Sequence, residues 1–257
     1  MATYLLKKSY QLKNLKEIMF KDLWGDHGVF TTMWILSKPP KIIFFKDHID
    51  NLIKSSKVYG INIKNLKKNI LTLLKFNLSN KKRYNHLLRI ALTKKVISIS
   101  LRKRFKPKIN LNLKLIKLKR SKPEYKNLKY KKILSYLSKL DNSKFDIGLV
   151  DNGNLLETGT SNILLSKNNK LYSPVNNFYR GITLKTLEKK LNKIYKRNIY
   201  VNNLDQYEEI ILLGSGKGIA SVANINSVKW KRKSFKFFNL ILKKFNSEMN
   251  KSLKIKL

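Results

Sequence analysis

The sequence predicts an α+β protein built as two lobes. Short β-rich runs and amphipathic segments alternate along the chain with no internal repeat. A polar, proline-containing stretch, "RSKPEYKNL" (120–128), interrupts that pattern midway. The 257 residues, 42% hydrophobic and 11% aromatic, are enough to close a real core. These observations predict an N-terminal α+β lobe over 1–119, a connection at 120–126 and a C-terminal lobe over 127–257.

"VFTTMWILSKPPKIIFF" (29–45) reads as two β-rich runs around a Lys-Pro-Pro turn. In "DHIDNLIKSSKVYGI" (47–61), apolar residues at 49, 52, 53 and 58 and a terminal Gly60 predict a capped amphipathic helix. A second helix is expected over 65–78. "HLLRIALT" and "VISISLRKR" read as strands joined by a turn near Lys94–Lys95, and "INLNLKLIKLKR" as a further strand of the first lobe. Beyond the connection, the apolar residues at 130, 133, 134, 137 and 140 predict a helix over 127–140. "FDIGLVDNGNLLETGTSNILLSKNNKLYSP" reads as strands separated by an Asp-Asn-Gly turn and a polar turn. A helix over 182–195 follows, then a buried strand, a Gly-rich turn and a second strand over 208–226. "KSFKFFNLILKKFNSEMNKSL" reads as a closing amphipathic helix.

Composition removes several function classes. Cysteine is absent, which excludes disulfides, thiolate metal sites and a cysteine nucleophile. No apolar run approaches the roughly 20 residues of a membrane helix. The first twenty residues are interrupted by charge too often for a secretory signal, so a cytoplasmic location is expected. His27, His48 and His86 are not at metal-ligand spacing, and no metal is expected.

The formal charge of +41 raises nucleic-acid binding as a reading. Against it, only eight of the 56 basic residues are Arg. Phosphate and base readers favour the guanidinium fork. Abundant Lys, Asn and Ile fit AT-rich codons, and the basic residues are spread over the whole length. Non-specific, salt-sensitive adhesion to polyanions is the expectation, with no specific nucleic-acid partner.

Three features bear chemistry. Glu157, one of only 15 acids, sits among small neutral residues five positions before Asn162, which opens an apolar strand. "RGIT" places Gly181, Ile182 and Thr183 at a helix start, where outward N–H groups suit an anion. "GSGKG" (214–218) is a Gly-rich turn whose N–H groups form a second candidate cradle, with Ser215 and Gly216 at its centre. Each alone also reads as an edge-strand acid, a plain helix cap or a plain hairpin. Two cradles and one isolated carboxylate suit a phosphorylated ligand with a basic ring nitrogen.

Together these motifs resemble the fold-type IV pyridoxal-phosphate enzymes, the class IV aminotransferase family. The resemblance is carried by "ETGTSNILL", "SPVNNFYRGITLKTL", "GSGKGIASV", "YKNLKY", "GDHGVFTT" (with His27 as one extra residue) and "HIDNL", in the family's order over about residues 23–226. It implies a two-domain α+β architecture with a barrel-like sheet in the larger C-terminal lobe. It also implies pyridoxal 5'-phosphate as cofactor and a homodimer. Lys126 would be the lysine that holds the cofactor and shuttles the α-proton. Tyr130, four residues on along the expected helix, would orient the cofactor or be a core aromatic. Glu157 would keep the pyridine nitrogen protonated. Ile182, Thr183, Ser215 and Gly216 would hold the phosphate.

The chain departs from the family at Asn51, where an arginine usually reaches the phosphate; Lys54, about one turn on, offers a point charge instead. Leu184 stands where some relatives carry an arginine. Thr31 and Thr32 after Phe30 resemble the branch that removes pyruvate from 4-amino-4-deoxychorismate. A transaminase acting on branched-chain or D-amino acids is the alternative, and a cofactor-free relic a further one. Arg89 and Arg104 are candidates for binding an anionic substrate, or else solvated strand charges.

Overall fold

The computed structural model describes residues 4–253. They divide into two compact units. The first holds the chain up to Arg104, the strap Tyr125–Lys131 and the tail from Met249; the second holds Phe105–Glu124 and Lys132–Glu248.

The first unit contains strands β1 (Tyr4–Gln11), β2 (Glu17–Ile18), β3 (Val29–Ser37), β4 (Lys41–Ile42), β5 (Tyr84–Leu92) and β6 (Val96–Lys103), and helices α1 (Phe45–Val58) and α2 (Leu66–Asn77). The sheet is antiparallel with strand order β2-β1-β6-β5-β3-β4. Side-chain alternation sets its two faces. Met33 and Ile35 of β3, Leu88 and Ile90 of β5, and Ile97 and Ile99 of β6 join Ile49 and Leu52 of α1 and Ile70 and Leu73 of α2 in one core. Each of these large apolar side chains contributes about 1.5–3 kcal/mol on burial. The opposite face carries the polar and basic residues described below.

The second unit contains β7 (Leu111–Lys117), β8 (Phe145–Asp151), β9 (Asn154–Thr158), β10 (Asn162–Lys167), β11 (Lys170–Ser173), β12 (Ile194–Lys196), β13 (Glu209–Gly214), β14 (Gly218–Ile225) and β15 (Trp230–Lys231). The main path is β12-β11-β10-β13-β14-β7-β8-β9, with β15 on β14. Helices α3 (Lys131–Leu137), α4 (Ile182–Glu188) and α5 (Lys236–Ser252) complete the chain. Leu113, Leu155, Ile163, Leu165, Ile210, Leu212, Val222 and Trp230 build this core. Fully buried Glu209 accepts hydrogen bonds from the N–H groups of Phe237 and Phe238, both 2.8 Å, and so satisfies the first turn of α5.

The mixed α+β class is as the sequence predicts. Several boundaries differ. β7, expected in the first lobe, pairs in parallel with β8 and β14 of the second unit. The chain passes between units at 104/105, 124/125, 131/132 and 248/249, not once at 120–126. The helix expected over 127–140 is confined to α3. Residues 126–128 are held against β3 instead: Phe30 N–H donates to Lys126 O (2.9 Å) and Leu128 N–H to Gly28 O (3.0 Å). This pairing overrides helix periodicity, so Lys126 and Tyr130 do not share a helical face. The helix expected over 182–195 ends at Glu188, and Ile194–Lys196 becomes β12, parallel to β11.

Candidate active site

Lys126 lies on the strap in the first unit. Gly25 N–H donates to Leu128 O at 2.8 Å, and Val29 and Asn127 form an antiparallel bridge. Gly28 is required here, because a Cβ would meet Leu92 O at 2.0 Å and Leu128 Cδ1 at 2.8 Å. The strap thus seats the Lys126 ammonium 5.1 Å from the centroid of Phe30. Trp24 meets Phe30 edge-on at 4.8 Å and stacks on Tyr130 at 5.5 Å. Tyr130 is therefore a buried member of a ring cluster beside the lysine.

His48 of α1 is buried, with Nδ1 2.8 Å from Thr31 Oγ1. Burial, reinforced by the positive charge of Lys126, pushes its pKa down to about 3. The imidazole is neutral at pH 7. Asn51 lies one turn further along α1, half-buried, and its carbonyl accepts from Ser55 Oγ at 2.8 Å; Lys54 is exposed.

Glu157 lies in the second unit at the end of β9. It is 2% exposed and receives a two-point grip from Arg120: Nε to Oε1 at 3.0 Å and Nη2 to Oε2 at 3.2 Å. A register shift between Leu149 and Val150 of β8 pairs Leu149 with Glu157 and Val150 with Leu155, leaving Leu156 as the bulged residue. Such bulges re-aim the next side chain.

The other motifs of this unit are joined by hydrogen bonds. Asn162 Oδ1 accepts from Gly181 N–H at 2.9 Å, and Asn162 Nδ2 donates to Tyr179 O, tying β10 to the start of α4. Thr183 Oγ1 and Ser215 Oγ are 3.4 Å apart, bringing the start of α4 to the Gly-rich turn. Gly181 and Gly214 run close against their neighbours; a Cβ would lie 2.9 Å from Asn162 Oδ1 and 2.8 Å from Ser161 Oγ, respectively, so those side chains would have to shift. Ile182 and Thr183 are buried, and Ser215 and Gly216 are half-exposed. Ile182, Thr183, Ser215 and Gly216 thus come together at one place, near Asn162.

The substrate candidates fall on the sheet face of the first unit that points away from α1 and α2. Register places Thr32, Arg89 and Ser100 in one row, and Trp34, Leu87 and Arg102 in the next. Arg89 is 7% exposed. Its guanidinium lies 4.3 Å over Trp24, Nε donates to Ser100 Oγ at 3.3 Å, and Nη2 pairs with the Asp22 carboxylate. Burial lowers the pKa of Arg89, and Asp22 partly offsets that. Arg104 stacks on Trp34 at 3.7 Å, and burial lowers its pKa to about 10. Both arginines are therefore built into the sheet face instead of standing in solvent. Thr31 is buried against His48, on a different side of β3 from Thr32.

Three participants escape motif reading: Arg120, Arg102 and Asp146. Asp146 is fully buried and accepts from Ile147 N–H (2.8 Å), Thr158 Oγ1 (2.9 Å) and Thr160 Oγ1 (2.7 Å), with Lys217 Nζ at 3.3 Å. It locks the loop after Glu157 to the Gly-rich turn. The scarcity of arginine was a usable signal for Arg120 and Arg102; nothing local marks Asp146.

Residues 28–225 match the family model for amino-transferase class IV. The chain belongs to the class IV aminotransferase family. Its members are pyridoxal-phosphate enzymes, and the fold of this chain is theirs. A branched-chain aminotransferase from Thermoproteus uzoniensis superimposes with a TM-score of 0.75 at 14% identity, over 98% of this chain and 96% of that one. A protein from Mycobacterium tuberculosis described as a hypothetical aminotransferase, in its PLP-bound form, gives 0.72 at 14% identity, over 95% and 99%. A Legionella pneumophila protein provisionally named 4-amino-4-deoxychorismate lyase gives 0.68 at 17% identity, over 86% and 91%. At such identities the likeness speaks for the fold alone. A comparison with curated proteins finds no match. Among the described residues, no helix is long and apolar enough to cross a membrane.

Proposed function

We propose that this class IV enzyme converts 4-amino-4-deoxychorismate to 4-aminobenzoate and pyruvate, using pyridoxal 5'-phosphate. The observation that carries the choice of substrate is the arginine face. Arg89, Arg102 and Arg104 share one side of the sheet with Thr32, and Trp24 and Phe30 lead from Arg89 to Lys126. Asp22 and Ser100 already hold Arg89, so Arg102 and Arg104 are the guanidinium groups this reading assigns to an anionic substrate.

The residues present fit the cofactor. The backbone at Gly181 and Gly214 packs close against Asn162 and Ser161, the hydroxyls of Thr183 and Ser215 converge, and Glu157 is a buried carboxylate. Ile182, Thr183, Ser215 and Gly216 would hold the phosphate, Lys126 the aldehyde carbon, and Glu157 the proton on the ring nitrogen. When bound, pyridoxal phosphate supplies an electron sink at the substrate carbon that bears the amine. Lys126 Nζ removes the proton from that carbon. The neighbouring ring C–O bond then breaks, pyruvate leaves as its enol and the ring becomes aromatic. Neutral His48 fixes Thr31, and Tyr130 with Trp24 packs the lysine's surroundings. Asn51 gives the phosphate no charge, so affinity for the cofactor is expected to be modest. A cytoplasmic homodimer is part of this reading.

Similarity along nearly the whole chain to aminotransferase structures supports a second reading, a transaminase acting on branched-chain or D-amino acids. One experiment separates the two. The protein loaded with pyridoxal phosphate is given aminodeoxychorismate, and in parallel a panel of amino acids with 2-oxoglutarate. Release of 4-aminobenzoate and pyruvate, absent in Lys126→Ala, is expected. Glutamate formation from the amino-acid panel alone refutes the lyase. A protein that develops no visible cofactor band refutes both.

A further inference from the structure

We propose that Arg120 is the positioning residue of Glu157: its guanidinium fork keeps the carboxylate ionised and fixes the direction of its oxygens toward a ring nitrogen. The inference rests on the cofactor reading above.

The geometry is specific. The side chains of Arg120 and Glu157 are 4% and 3% exposed, so water does not hold the charges. Nε and Nη2 each take one carboxylate oxygen. Two parallel contacts fix the plane of the carboxylate, which a single contact cannot do. A carboxylate has about four acceptor positions, and the fork takes two of them. The β9 bulge sets where the side chain leaves the strand, and the fork sets how it is rotated.

Stability does not account for the pair. Buried ion pairs are often no better than apolar residues of the same volume, because desolvation offsets the attraction. What the pair does secure is charge state. A carboxyl buried without a cation takes up a proton, and a protonated Glu157 could not hold a proton on a ring nitrogen. Residue choice points the same way. Only eight of the 56 basic residues are arginine, and lysine would supply the charge without the fork. The other charged groups linked to this loop, Asp146 of β8 and Lys217 of the Gly-rich turn, are joined to each other at 3.3 Å. Arg120 makes two-point contact with Glu157.

The test uses the full chain with and without pyridoxal phosphate. In the cofactor-free protein, Arg120→Gln should lower the melting temperature several degrees more at pH 8 than at pH 5.5, because acid lets the buried carboxyl become neutral. Adding Glu157→Gln should abolish that difference. With pyridoxal phosphate bound, the pH midpoint of the visible absorption should shift by at least one unit in Arg120→Gln, and by less in Arg120→Lys. A stability loss independent of pH together with an unshifted absorption midpoint overturns the proposal and leaves the cofactor reading intact. Wild type that takes up no pyridoxal phosphate overturns the cofactor reading, and this role with it.

Discussion

The surroundings of Lys126 and of Glu157 follow opposite physical plans. Around Lys126 the neighbours are rings: Phe30 beneath the ammonium, then Trp24 and Tyr130, with a neutral imidazole at His48. Around Glu157 they are donors and charges: the Arg120 fork on the carboxylate itself, and the buried Asp146–Lys217 pair bonded to Thr158 and Thr160. The contrast teaches how a fold treats two titratable groups with different duties. The lysine proposed to give up and regain a proton sits against aromatic faces. The carboxylate proposed to keep its charge sits in a polar network that holds it in that form.

The largest expected effect breaks the polar side of that contrast. Asp146→Ala removes a fully buried carboxylate that accepts from Thr158 and Thr160 and lies 3.3 Å from the Lys217 ammonium. A loss of about 3–5 kcal/mol is expected, from the cost of leaving a buried partner uncompensated. Urea unfolding measures it, and a loss under 1 kcal/mol would mean that the network is dispensable.

The next tests the apolar side through pH. The unfolded His48 titrates near 6.5 and the folded one at about 3. The folded state therefore binds fewer protons between those values. Stability from this group is full above about pH 6.5 and is lost as pH falls toward 3, at a rate of about 1.4 kcal/mol per pH unit. His48→Gln should flatten that part of the stability curve, and a curve parallel to wild type would show that His48 is not buried neutral.

The smallest sharpens the cofactor assignment. Asn51→Arg would restore the charge that family members usually carry at this position on α1. Affinity for pyridoxal phosphate should rise about tenfold, or about 1.4 kcal/mol. Unchanged affinity in a direct titration would place position 51 away from the phosphate.

Much of the fold was legible because its periodicity is local. β6 alternates over 97–101, β3 and β5 are short apolar runs bounded by polar turns, and the expected apolar positions 49 and 52 of α1 are buried, while Val58 at its end is exposed. What sequence could not reveal depended on distant partners. Residues 126–130 carry helical spacing, yet Gly28 and Phe30 claim their backbone groups. Ile194–Lys196 continues a helical pattern, yet β11 offers it an edge. At the candidate site, Glu157, Asn162, Thr183 and Ser215 stood out as motifs. Arg120 and Asp146 did not, because a buried partner is defined by geometry across 37 and 12 residues of chain, respectively.

The strap also constrains the order in which the molecule can be made. After Arg104 the chain rejoins the first unit for Tyr125–Lys131, leaves it again, and returns at Met249. Synthesis runs from the N-terminus, so the edge at Gly28–Phe30 emerges ahead of the segment that docks on it. Lys126 finds its berth before most of the second unit has left the ribosome. A circular permutant that begins at Phe105 would present the strap ahead of its template and leave it waiting, unpaired, for a sheet still to be translated.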